Sequence, residues 1–129
     1  MVETYAPDGF NRAVPYLTIE GAQAIVDFLL NVFEAEVLDR VDRPDGKLAH
    51  AAIRIGDSVI ELSEATERFG PMPGAIHVYV PDTDQTHRKA ILHGAELIHE
   101  PMDMEYGERA SAVKDNAGNH WYIATFIRP

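Results

Sequence analysis

The sequence predicts an α+β fold of two tandem βαβββ modules, and three observations lead there. The tetrapeptide Ala35-Glu36-Val37-Leu38 recurs 60 residues on as Ala95-Glu96-Leu97-Ile98, each time after a stretch with helical spacing. In both halves an apolar strand-like run precedes that stretch, and alternating segments broken by turn residues follow it. At 129 residues the chain suits one domain, 1–129, holding both copies, and two copies are fewer than the three or more short repeats a solenoid needs to bury its core.

The elements follow in order. Residues 14–19 are β-branched and aromatic and form the first strand. Ala22, Ile25, Val26, Phe28, Leu29, Val32 and Phe33 then share one helical face, which predicts an amphipathic helix packed on a sheet. Strands at 37–41, 48–55 and 58–63 make a meander, with turns at Arg43-Pro44-Asp45-Gly46 and Gly56-Asp57. Residues 64–74, carrying Pro71, Pro73 and two glycines, link modules of about 13–63 and 75–127 and read either as a plain connection or as a lid. The second copy opens with a strand at 75–80. Its helix is capped by Asp82, with Gln85 three residues on, and closed by Gly94. Strands at 95–99, 108–114 and 120–127 complete it, the last two joined by Asp115-Asn116-Ala117-Gly118.

Composition narrows the function. With 11 basic against 21 acidic residues the net charge is −10, so binding to a phosphate backbone or an anionic membrane has no electrostatic footing. An acidic surface draws a cationic small molecule toward a cleft, although it also serves plain solubility. Cysteine is absent, which excludes disulfides, thiolate nucleophiles and cysteine metal sites. Residues 1–11 show no basic segment leading into an apolar one, and no run reaches the ~18 apolar residues of a membrane span, so a soluble cytoplasmic protein is expected.

The doubled module, the strand Val59-Ile60-Glu61-Leu62 and the run Asp115-Asn116-Ala117-Gly118-Asn119-His120-Trp121 resemble the glyoxalase, bleomycin-resistance and extradiol-dioxygenase (vicinal oxygen chelate) superfamily, over residues 13–127. The segments Gly46-Lys47-x-x-His50-Ala51 and Gly56-Asp57-Ser58 are similar to its small bacterial glyoxalase-like branch. The resemblance implies curled mixed sheets around a cleft, helices on the outer face, and a small molecule bound between modules. It also implies a homodimer, since a second subunit often completes that cleft.

Strand alternation then sorts the candidates. With Leu17, Ile19, Ile53, Ile60, Leu62, Ile76, Val78, Trp121 and Ile123 turned to the helices, the opposite face collects Tyr16, His50, Arg54, Glu61, His77, Tyr79, Arg109, His120 and Tyr122. Imidazoles, phenols and guanidinium groups on one face are the expected ligand-binding set, and three tyrosines suit a flat aromatic ligand. His50 also reads as a structural imidazole and Arg109 as an interface anchor, whereas His87 and His93, on the second helix, read as surface residues. Glu61 is the candidate catalytic residue: aromatic walls raise a carboxyl's pKa unless an arginine such as Arg54 compensates, which suits a general base.

Metal-dependent members of the resembled family use four side chains, from the first, fourth, fifth and eighth strands. Glu61 matches the fourth, but Val14, Ala75 and Tyr122 occupy the other three, so no metal ligand set and no cofactor is expected. His77 lies one step from Ala75, roughly 6–7 Å along the strand. Three readings therefore compete: a metal-free protein binding a cationic or aromatic small molecule; a divalent-metal lyase, isomerase or dioxygenase in which Glu61, with His77 or His50, holds Zn, Ni or Fe(II); and a partner-binding protein whose cleft is filled by the linker or by Met102 and Met104.

Overall fold

A computed structural model describes residues 5–127. Residues 1–4, part of the segment read as lacking a leader, lie outside the described residues. The elements are β1 (Tyr16–Ile19), α1 (Ala22–Val32), β2 (Glu36–Asp42), β3 (Leu48–Ile55), β4 (Ser58–Glu64), β5 (Ala75–Tyr79), α2 (Thr83–Leu92), β6 (Glu96–Met104), β7 (Glu108–Lys114) and β8 (His120–Phe126). Two four-stranded mixed sheets result, ordered β1-β4-β3-β2 and β5-β8-β7-β6. In each, the strand before the helix pairs in parallel with the last strand of its module, and the other pairs are antiparallel. This is the α+β doubling of βαβββ that the repeat predicts.

The helices form where the apolar spacing places them, but their starts are fastened differently. Gly21, with φ 73°, precedes α1 and has no side chain to cap it. The cap comes from the end of β4: the Glu64 carboxylate accepts from the N–H groups of Gly21 and Ala22, both at 3.0 Å. Glu64 thus belongs to a strand, not to the linker as its sequence position suggested. On α2 the predicted cap is present, Asp82 accepting from the Gln85 N–H at 3.1 Å.

Two other boundaries differ from expectation by more than one residue. The first strand begins at Tyr16 rather than residue 14, because Pro15 has no N–H for a ladder and only its carbonyl bonds, to the Glu61 N–H at 2.9 Å. The sixth runs on to Met104 through Pro101, which an edge strand tolerates, with register shifts between Leu97 and Met102.

Both sheets turn their apolar faces to the helices. Leu17, Ile19, Ile53 and Leu62 meet Ile25, Val26 and Leu29 in the first module, and Val113, Trp121 and Ile123 are buried in the second. Phe28 and Phe33 place their rings 6.3 and 5.5 Å from that of Trp121, joining the two interiors into one core. Trp121 is held from its other end as well. The buried Asp115 carboxylate accepts from Trp121 Nε1 at 2.8 Å, from Asn119 Nδ2 and from the N–H groups of Ala117 and Asn119, which locks the turn into β8.

Candidate functional site

The face of the first sheet turned away from α1 carries the most complete group. Register sets Glu61 between Tyr16 on β1 and Ala52 on β3. His50, two residues from Ala52, reaches the carboxylate: Nε2 lies 2.5 Å from Glu61 Oε1, and the Tyr16 ring sits 5.9 Å from the imidazole. A register shift between Val41 and Asp42 places one extra residue on β3, so that Leu48 is buried while Ala49 joins the open side. Beside the pair lies a cavity of about 450 Å³, walled by Tyr16, Thr18, Ala49 and Ser63 from the sheet, Arg43 from the β2–β3 turn, and Thr66 and Phe69 from the linker. Met72 pairs with Thr18 across this edge, so the linker is tied to β1 next to the opening.

The second sheet carries another group on its corresponding face. Glu108, at the start of β7, is buried beneath residues of β5: His77 Nε2 lies 2.9 Å from Oε2, and the Tyr79 hydroxyl donates to Oε1 at 3.2 Å. The intervening residues are small, Ala110 opposite Ala124, which leaves the carboxylate room to cross the face. Glu108 pushes the Tyr79 phenol above its usual value of 10, accepting its proton in a hydrogen bond and repelling the phenolate. Tyr122 and His120 lie along the same face, ring centres 6.4 Å apart. A further cavity of about 340 Å³ occupies the seam between modules, between His77, Tyr79 and Val80 on one side and Ile55, Ser58 and Ile60 on the other.

The expected set is thus divided. Tyr16, His50 and Glu61 come together on the first sheet; His77, Tyr79, His120 and Tyr122 share the second. His77 does not pair with Glu61, as the metal-dependent reading has it do, because β5 opens a separate sheet and Glu108 lies within its reach. Arg54 bonds Glu36 at 2.6 Å, its register partner on β2, instead of compensating Glu61. Arg109 is on the opposite face: it bonds Asp84 of α2 and Asp103 of β6, both at 3.0 Å, which raises its already high pKa. His87 is buried on α2, its Nδ1 2.8 Å from Ser111 Oγ, where a surface position was expected. Glu108, Arg43 and Phe69 were missed. Glu108 was within reach of the alternation rule, since Val113 faces the core and shares its side with Arg109, leaving Glu108 to the open face.

An imidazole bonded to a carboxylate can hold and pass a proton, so both His–Glu pairs are capable of acid–base work. The donor chemistry for a resident metal is imidazole and carboxylate, but it comes in twos: His50 with Glu61, and His77 with Glu108. Among the described residues no three His, Asp or Glu side chains converge. One chain therefore does not fit the four-ligand metal centre of the resembled proteins.

The model of the Glyoxalase/Bleomycin resistance protein/Dioxygenase superfamily matches residues 9–123. The chain belongs to this superfamily. An uncharacterised protein of Mycobacterium bovis is 32% identical, with 88% of this chain and 82% of that one covered. Among solved structures, TioX from Micromonospora superposes with a TM-score of 0.71 at 21% identity, covering 89% of this chain and 99% of that one. A family enzyme from Burkholderia phytofirmans gives 0.71 at 20%, covering 89% and 100%. The fosfomycin resistance protein FosX from Mesorhizobium loti gives 0.65 at 14%, covering 89% and 91%. At these identities the structures speak for the shared glyoxalase-superfamily fold. Among the described residues no helix is long and apolar enough to cross a membrane.

Proposed function

We propose that this glyoxalase-superfamily protein binds a small aromatic molecule on the open face of its first sheet without a metal ion. The observation that carries the reading is the 450 Å³ cavity between Tyr16 and Phe69, a volume within the usual range for small-molecule sites and open beside the His50–Glu61 pair. Two aromatic walls, hydroxyls from Thr18 and Ser63 and a few polar groups at one end are the composition such sites share. Glu61, bonded to His50 and two residues along β4 from Ser63 in the cavity wall, is the candidate for moving a proton on a bound molecule. Tyr79, His77 and Tyr122 on the second sheet form the complementary wall in a homodimer, where one protomer's first sheet faces its partner's second. Half-exposed Tyr16 and more exposed Tyr79 are the side chains such an arrangement would cover.

The test is titration with neutral 2-naphthol, followed by amide nuclear magnetic resonance on the species whose size sedimentation fixes. Shifts should cluster at Thr18, Ala49 and Ser63, and Tyr16→Ala should weaken binding about tenfold, the worth of one aromatic contact. Shifts confined to Ile55, Val78 and Val80 would move the site to the seam cavity and sink this reading. In parallel, protein loaded with Ni, Zn, Mn or Fe(II) should retain far less than one ion per chain. Retention near one, lost in Glu61→Gln, would establish the metal-dependent alternative instead.

A further inference from the structure

Building on that reading, we infer that the molecule held against the first sheet is a monoanion, an aromatic or apolar acid whose carboxylate is received by Arg43. Arg43 is the cationic residue in the cavity wall, and its Nε is buried with no protein acceptor within hydrogen-bonding distance. The nearest carboxylate, Asp45, stands 3.7 Å from it and already accepts from the Lys47 N–H at 2.9 Å. A buried donor without a partner costs free energy unless something else accepts from it, and a charge-assisted bond to a carboxylate is the strongest way to satisfy it.

The charges around the cavity favour one negative charge. Glu64, the acid in the wall, has both oxygens engaged by the first N–H groups at the start of α1, where the helix terminus offsets its charge. Asp45, at 3.7 Å, opposes the Arg43 charge from outside hydrogen-bonding distance, so the guanidinium keeps donor capacity for a bound group. A cation would sit against that guanidinium and leave Nε unpaired. A dianion such as a phosphate monoester would bring more charge than one guanidinium matches, in a chain whose net charge is already −10. A carboxylate balances it, with the Thr18 and Ser63 hydroxyls on the same wall and Tyr16 and Phe69 for the apolar body. The acidic surface pointed toward a cationic ligand; the local donor points the other way, and at contact distance the local group dominates a screened surface field.

Calorimetric titration of the full chain with three isosteres, 1-naphthoate, 1-naphthamide and 1-naphthylmethylammonium, separates the possibilities. The expected order is naphthoate tightest, by about tenfold over the amide, with the ammonium weakest. Arg43→Gln should erase the naphthoate advantage over naphthamide, and Arg43→Lys should restore part of it. Equal affinity for acid and amide, or no response to Arg43→Gln, overturns the anion inference while the small-molecule reading stands. Tighter binding of the ammonium overturns it in favour of a cationic ligand. Failure of all three to bind overturns both.

Discussion

His87 shows how one buried side chain couples the fold to pH. Burial pushes its imidazole below the usual 6.5, against the smaller pull of Glu100 and Asp84, with His99 adding to the depression. The neutral form is therefore the one that packs on Ser111. In the unfolded chain the same group takes a proton at about 6.5. The unfolded state then binds more protons than the folded one as pH drops below that value, so stability present above pH 6.5 is lost on acidification. His87→Gln, which keeps a hydrogen-bonding group toward Ser111 but cannot titrate, should flatten the fall in melting temperature between pH 7 and 5.5. An unchanged slope would assign the acid sensitivity to other groups. The same residue marks what was hard to read: a histidine on a polar helix gives no sequence sign that Ser111 waits two elements away. The His50–Glu61 pair was legible because both residues fall on one face of adjacent strands. Arg109 was misplaced because no core residue was assigned on β7 to set its phase, which the burial of Val113 fixes. Arg43 and Phe69 sit in a turn and a linker, where no periodicity orients a side chain.

At the scale of elements, the two copies differ most tellingly where each helix ends. Gly94 leaves α2 with φ 97°, the left-handed turn that glycine adopts without strain. Sixty residues earlier the same position is Glu34, and its φ is 54°. The repeat has kept the turn and changed the residue. A side chain held in that region costs about 1–2 kcal/mol, and the Glu34 side chain returns little: it is largely exposed, and its contact with Lys89 is 3.7 Å long. Glu34→Gly should therefore raise stability by about 1 kcal/mol, part of the gain being given up to the greater freedom of glycine in the unfolded chain. Urea unfolding checks this as a higher midpoint with an unchanged slope, and a lower midpoint would show that Glu34 makes a contact worth more than its strain. Element order and the helical faces were legible because periodicity records burial directly. Strand ends were less so, since Pro15, Glu64 and Pro101 are decided by the hydrogen bonds of neighbouring strands.

For the whole molecule, the decisive fact is that the repeat does not divide the core. Trp121 lies on the second sheet and is fully buried, yet two of its ring neighbours, Phe28 and Phe33, come from the end of α1 and the residue that caps it. Each module alone would expose that aromatic surface, and a chain of this size has little stability to spare, roughly 5–15 kcal/mol. The modules should therefore unfold together. Trp121 is the sole tryptophan, so its fluorescence reports the junction, while ellipticity in the far ultraviolet reports both sheets and both helices. In the native sequence the two signals should share one transition. Phe28→Ala, which removes a ring buried to 5% exposure, should cost about 3–5 kcal/mol and move both signals to the same lower midpoint, although the substitution lies in the first module and the fluorophore in the second. Two separated transitions, with fluorescence unmoved by Phe28→Ala, would mean that each βαβββ copy holds itself together. In that case the seam would be a contact between independent units, and the open faces would be free to change their relation when a ligand or a second protomer arrives. A single shared transition makes the two faces one rigid surface, so that a molecule bound beside Tyr16 acts on the stability of the whole chain.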